Sequence, residues 1–446
     1  MLLALLLITG TADWVPARWM SNDPKSLDLV AGTPVNCLLV EERLWSAPFA
    51  GRAKELGIAT LGVVRPGGDP VASAKKAAAT GLTGLALEGE FDDAVVAEIK
   101  PAVELTTRRR IRWDGPADIL GTRQGLWPGI QIQESGAAKA APTGGPWIET
   151  NTGFLRFARA LTDKTIWTAN TPPPKTLFSA ERYLQAIADA AIAGARWVLA
   201  FDGDFTRRLL EGEAMALRDW KRIAAELRYF ESHREWAGLA SAGQLALVED
   251  TGSGALMSGG VLDMIAAKHT PVRPVPGSKL SDDRMKGAKL AVNVDPAGLN
   301  AEQKEVLRRF ARAGGTLLSG PPGWNFPSAS GDAITLSKED TDKLDGIWRE
   351  MNAVTGRRNL GVRLFNVSSM LSNLLAAPDG KQVVLHLVNY SNYPVEAITA
   401  HVLGSFRKAA LYRPEGPPQP LKPFPVEEGT GVEIDRLAVV GTVVLE

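Results

Sequence analysis

Hydrophobic positions in the first half of the chain fall into short runs separated by helical patterns. Residues 35–40 (VNCLLV), 59–64 (ATLGVV) and 84–88 (GLALE) are apolar runs of strand length. The segments after them, 49–56, 71–80 and 92–99, read as helices, the last with Asp92 and Asp93 where negative charge suits the helix dipole. A weaker strand is predicted at 103–106. Residues 108–133 carry two short strands among irregular loops, and 135–145 (SGAAKAAPTGG) reads as a small-residue loop. The pattern then sharpens into a helix at 153–161, a strand at 165–169 (TIWTA) and a helix at 180–193. That helix places Tyr183, Leu184, Ile187 and Ala191 on one stripe. A strand at 196–201 (RWVLAF) and one long helix to about 236 complete the half. Strands alternating with helices at this spacing specify parallel βαβ units. Seven or eight of them in roughly 200 residues predict a compact (β/α)8-type barrel.

From residue 244 the pattern restarts. A strand at 245–249 (LALVE), a helix at 260–268, an extended piece at 271–275 and a strand at 288–294 (AKLAVNV) come first. An amphipathic helix at 299–313 and a strand at 316–318 follow, and together these read as a flavodoxin-like α/β domain. After 340 a single helix (341–354) precedes short alternating segments at 362–365, 369–374, 383–389, 395–403, 409–411, 432–434 and 439–444, the signature of a β-sandwich. The expected domains are 13–238, 239–335 and 336–446, after a signal-peptide remnant at 1–12. Residues 2–8 (LLALLLI) followed by Thr9-Gly10-Thr11-Ala12 read as the apolar core and cleavage region of an export signal. That predicts a periplasmic or secreted protein, and the run is far below the ~20 residues that span a bilayer.

Composition narrows the chemistry. Lys+Arg and Asp+Glu are both 50, so the 446-residue chain has no basic excess for nucleic acid or anionic lipid. The one cysteine, Cys37, excludes an intrachain disulfide and a Cys-based zinc site. The four histidines are scattered, so no His-based metal centre is predicted, a carboxylate-bound ion staying open as the alternative; no cofactor is expected. Twelve tryptophans offer platforms for flat apolar ligands such as sugar faces.

With its barrel, its middle segments LALVE, AKLAVNVD and ARAGGTLLSG, and its terminal sandwich, the chain resembles the glycoside hydrolases of the bacterial beta-galactosidase type. The resemblance implies a carbohydrate-active scaffold. It also implies a middle domain similar to class I glutamine amidotransferases that serves trimerisation, hence a homo-oligomer. No family catalytic motif, such as an Asn-Glu pair at a strand end, stands in the barrel sequence.

Candidate residues therefore come from position. In an α/β barrel the site is built at the C-terminal ends of the strands, and strand alternation sorts which residues face inward. Glu88, Asp202 and Glu149 are the catalytic candidates, since glycoside cleavage needs two carboxylates flanking one bond. One of Glu41 and Glu42 is also expected at the mouth. Trp45, Trp113, Trp127 and Trp147 are candidate sugar platforms, with Asn151, Asn170, Asp204 and Gln124 as polar partners for hydroxyls. Arg65, Arg112 and Arg123 suit a carboxylate ligand or, more simply, internal ion pairs. The expected activity is hydrolysis of a glycosidic bond by two carboxylates. The alternative is a non-catalytic carbohydrate-binding or assembly protein on the same scaffold. The middle domain is expected to be inert: Gly252–Gly259 breaks the dinucleotide spacing at Met257, and the lone Cys37 falls in the barrel.

Overall fold

The computed structural model describes residues 10–446 apart from 129, 133–137, 141–149, 250–268, 294–297, 320–348, 351, 357–358 and 368. Residues 1–9 of the expected export signal, Glu149, Trp147, the loop 252–259, the expected helix 260–268 and most of the expected helix 341–354 lie outside the described residues.

Eight parallel strands form the first sheet. They are β1 (Pro16–Trp19), β2 (Cys37–Glu41), β3 (Ala59–Val64), β4 (Gly84–Glu88), β5 (Val103–Thr106) and β6 (Ile119–Thr122), then, after a small hairpin of β7 (Ile130–Ile132) and β8 (Ala138–Ala140), β9 (Thr165–Ala169) and β10 (Arg196–Val198). The ring is nearly closed by two hydrogen bonds: the Arg18 amide donates to the Leu199 carbonyl at 2.7 Å, and the Leu199 amide to the Pro16 carbonyl at 3.1 Å. Three details depart from the sequence pattern. The first strand is Pro16–Trp19, so the run at 35–40 supplies the second; four residues with one arginine give no periodicity to read. Part of the small-residue loop at 135–145 pairs as β8, whereas the two short strands expected within 108–133 are present as Ile119–Thr122 and β7. The long helix before 236 is two helices, Gly203–Leu210 and Ala214–Ser232, broken at Gly212, whose positive φ of 76° a helix cannot hold.

Strand parity divides the barrel residues cleanly. Cys37, Leu39, Leu61, Val63, Ala86, Leu105, Trp167 and Val198 fill the inside. Ala17, Trp19, Leu38, Val40, Trp197 and Leu199 pack outward against the helices. Trp167 is fully buried at the centre, so the barrel is a packed core and only its mouth is open to chemistry.

After a two-residue strand β11 (Ala240–Ser241), a second parallel sheet follows: β12 (Leu245–Glu249), β13 (Val272–Pro276), β14 (Leu290–Asn293) and β15 (Thr316–Ser319), in the order β13-β12-β14-β15. The remaining strands form two antiparallel sheets. One has four strands, among them Val362–Phe365 and Val395–Leu403. The other has six, including β11, Met370–Ala376, Val383–Asn389 and Val440–Leu445. The six-stranded sheet is covered on both faces. Leu385, Leu387 and Val443 face the four-stranded sheet, while Val384, Val388 and Tyr390 pack on Ala188, Ile192 and Tyr229 of the barrel helices. This explains why Val383–Asn389 (VVLHLVN) is buried along its whole length.

Candidate functional site

Four inward positions at the ends of β1 to β4 carry Arg18, Glu41, Arg65 and Glu88, about two dozen residues apart in the chain. Alternating charge on neighbouring strands makes them one network. Glu88 Oε1 accepts a short bond from Arg18 Nη2, and its Oε2 accepts from Arg65 Nη2 at 2.6 Å. Arg65 also holds both oxygens of Glu41, at 2.6 and 2.8 Å, and Arg18 Nη1 lies 3.6 Å from Glu41. The Arg18 side chain is only 5% exposed and that of Glu88 12%, whereas Arg65 is half exposed at the rim. One nitrogen, Arg65 Nη2, bonds both carboxylates, so they lie no farther apart than the roughly 5–5.5 Å of a retaining glycosidase pair. The hydrogen bonds from Arg65, and the charges of Arg65 and Arg18, hold the Glu41 carboxyl below its ordinary range against the cost of burial.

This shift has a sign. A depressed folded value stabilises the ionised form, so the contribution is present above the ordinary carboxylate pKa and lost as pH falls through the depressed one. Glu41→Gln is therefore expected to destabilise the protein at pH 7 and by progressively less in acid below about pH 4. Chemical denaturation of both proteins at the two pH values measures this; an equal penalty at both would contradict the charge network.

Arg18 and Glu41 line a mouth cavity of about 580 Å³ together with Met20, Arg43, Pro172–Lys175, Leu177, Phe201, Asp202 and Asp204. Among the described residues its charged lining balances, with Arg18, Arg43 and Lys175 against Glu41, Asp202 and Asp204. Met20 and Leu177 are exposed apolar side chains at this rim.

Asp202 reaches the mouth but its oxygens are engaged. Oδ1 caps the helix Gly203–Leu210 by accepting from the amides of Asp204 and Phe205 at 3.0 and 2.9 Å. Oδ2 accepts from the Tyr183 hydroxyl at 2.6 Å and the Phe178 amide at 3.2 Å. Burial and this bond push the Tyr183 phenol well up. Asp204 is half exposed and bonded to Arg207 and Arg208, and the bond from Arg207 leads in holding its carboxyl down.

The other sequence candidates disperse. Trp45 lies on the outside of β3, where Gly62 leaves no side chain in its way; a Cβ there would stand 2.5 Å from the indole. Its N–H donates to the Val40 carbonyl at 2.9 Å. Trp113 packs edge-on to Phe157, and Trp127 is core, between Phe178 and Trp197 with its N–H on the Thr171 carbonyl. Asn151 is fully buried. Its side chain bonds both the amide and the carbonyl of Leu126, and also Asp189. Asn170 donates to the Gly125 carbonyl, and Gln124 accepts from the Arg108 amide. Arg112 pairs with Asp93 and Glu104. Sequence reading missed Arg18, Met20 and Leu177; a lone arginine at an inward position of a short strand was the available signal for the first.

Cys37 is buried inside the barrel, its thiol pushed well up by burial. Among the described residues no cluster of His, Cys, Asp or Glu is arranged to hold a metal ion, and no helix is long and apolar enough to cross a membrane.

A nearly closed parallel barrel, a small α/β sheet and a sandwich follow one another along the chain, a fold shared with solved glycoside hydrolases. Among solved structures, alpha-L-fucosidase isoenzyme 2 from Paenibacillus thiaminolyticus is similar with a TM-score of 0.60 at 10% identity, over 97% of this chain and 99% of that one. The cold-adapted beta-galactosidase from Rahnella sp. R3 is similar with a TM-score of 0.52 at 9% identity, over 98% of this chain and 99% of that one. No protein-family profile and no curated protein matches the chain by sequence. At such identity the likeness concerns the fold.

Proposed function

We propose that the barrel mouth binds a neutral, hydroxyl-rich carbohydrate and does not cleave it. The observation that carries this reading is the engagement of the mouth carboxylates. Glu41 and Glu88 are each held by two guanidinium groups, and Asp202 by four protein donors. Glycoside cleavage needs a carboxylic acid that keeps its proton near neutral pH, which requires burial away from cations. Among the described residues the mouth supplies the opposite environment. The balanced charges of the lining suit a ligand without net charge, and Met20 and Leu177 offer apolar surface to the C–H face of a sugar ring.

The second reading is hydrolysis, favoured by the close approach of Glu41 and Glu88 at Arg65. In that reading Glu88 attacks or stabilises the sugar, and Glu149, which lies outside the described residues, is the candidate proton donor. Calorimetric titration with neutral oligosaccharides, beside a panel of nitrophenyl glycosides, separates the two. Saturable binding without turnover is expected. Release of nitrophenol that is lost in both Glu88→Gln and Glu149→Gln would establish hydrolysis instead.

A further inference from the structure

Where the barrel, the middle sheet and the sandwich meet lies a cavity of about 490 Å³, remote in function from the barrel mouth and lined by a different set of charges. Arg156 and Arg159 come from the barrel helix Thr152–Leu161. Arg273 comes from β13, and Lys279 and Arg284 from the turn and short helix after it. Asn373 and Leu375 of the six-stranded sheet close the third side. Among the described residues Asp163 is the one carboxylate in the lining. Five cations thus face one anion.

The guanidinium groups are only partly satisfied. Arg273 Nη1 donates to the Lys286 carbonyl at 2.9 Å, but its Nε and Nη2 are buried without a hydrogen-bond partner. Arg159 donates to the carbonyls of Lys164 and Gly194, and its Nε is likewise buried and unpartnered. Lys279 Nζ bonds the Ala160 carbonyl at 3.1 Å. Burial makes Arg273 and Arg159 easier to deprotonate than an ordinary arginine. Arg284 adds like-charge repulsion at the first; at the second Arg196 adds it and Asp163 opposes it. Buried N–H donors and unbalanced positive charge carry a free-energy cost that a bound anion with several acceptor oxygens would offset.

We propose that this junction cavity is a binding site for a small oxyanion of the phosphate class, seated on Arg273 and Arg159 with Arg284 and Lys279 completing its neutralisation. The site draws residues from all three parts of the fold, so an anion there would also tie them together. Its ligand is charged, unlike the neutral sugar proposed for the mouth, and the two proposals stand or fall separately.

Thermal melting and calorimetry of the full chain with inorganic phosphate, at ionic strength held constant with sodium chloride, test the site. A saturable rise in Tm with phosphate is expected, weakened about tenfold or more in apparent Kd by Arg273→Gln. Arg284→Gln, at the solvent side, should weaken binding in the same direction and guards against an Arg273 variant that fails to fold. A hexose phosphate binding more tightly than inorganic phosphate would identify a phosphorylated sugar as the source of the anion; equal or weaker binding would identify the free ion. No rise in Tm beyond that given by chloride, or undiminished binding in both variants, overturns the proposal.

Discussion

Replacing Arg18 by methionine is expected to cost about 3–5 kcal/mol of stability, the range for breaking one partner out of a buried ion pair. The side chain is almost wholly enclosed and supplies one of the two guanidinium groups on Glu88. Without it, Glu88 keeps a single partner, Arg65, which sits half exposed at the rim and is shared with Glu41. The double variant Arg18→Met, Glu88→Leu is expected to recover most of the loss, because apolar groups of similar volume cost less there than an orphaned charge. Urea denaturation of the single and double variants measures both effects. If the double variant were no more stable than the single one, the penalty would come from lost packing and not from the stranded carboxylate.

A loss of similar size, about 3–5 kcal/mol, is expected for Asp189→Ala. Asp189 is fully buried in the helix Ala180–Ala191. One oxygen accepts from the amide and the side chain of Asn151 at 2.8 Å each, and the other from the Tyr390 hydroxyl at 2.7 Å and Thr152 at 3.3 Å. These donors come from the start of the helix Thr152–Leu161 and from the sandwich, so truncation strands polar groups on both sides of a packed junction. Tyr390→Phe removes one bond and leaves the carboxylate three donors; about 1 kcal/mol is expected. Equal losses for the two variants would show that Tyr390, not the carboxylate, organises the junction.

Much of the architecture was legible because strand and helix periods alternate so regularly between 59 and 106 and again between 165 and 198. The antiparallel segments 362–365, 383–389 and 395–403 were read to the residue, since turn signals punctuate them. The opening strand was not, because Pro16–Trp19 is short and buried on both faces, leaving neither alternation nor a run. Parity predicted Glu88 and Asp202 on the inward side of their strand ends; Glu88 meets Arg18 and Arg65 there, and Asp202 lines the mouth cavity. Parity said nothing about what each carboxylate bonds, because two of the four donors on Asp202 come from Phe178 and Tyr183, and one of the two guanidinium groups on Glu88 comes from the missed strand. A large ring near a strand end serves the packing as readily as a ligand: Trp45 lies against Gly62 and Trp127 against Phe178.

The doubly covered six-stranded sheet bears on how the polypeptide can be cut. Deleting everything past residue 360 would strip the cover from Ala188, Ile192 and Tyr229 and leave a broad oily flank facing water. Such a shortened protein is a candidate for inclusion bodies, whatever the merits of its barrel. Dissecting this polypeptide is therefore better done by point substitution than by scissors.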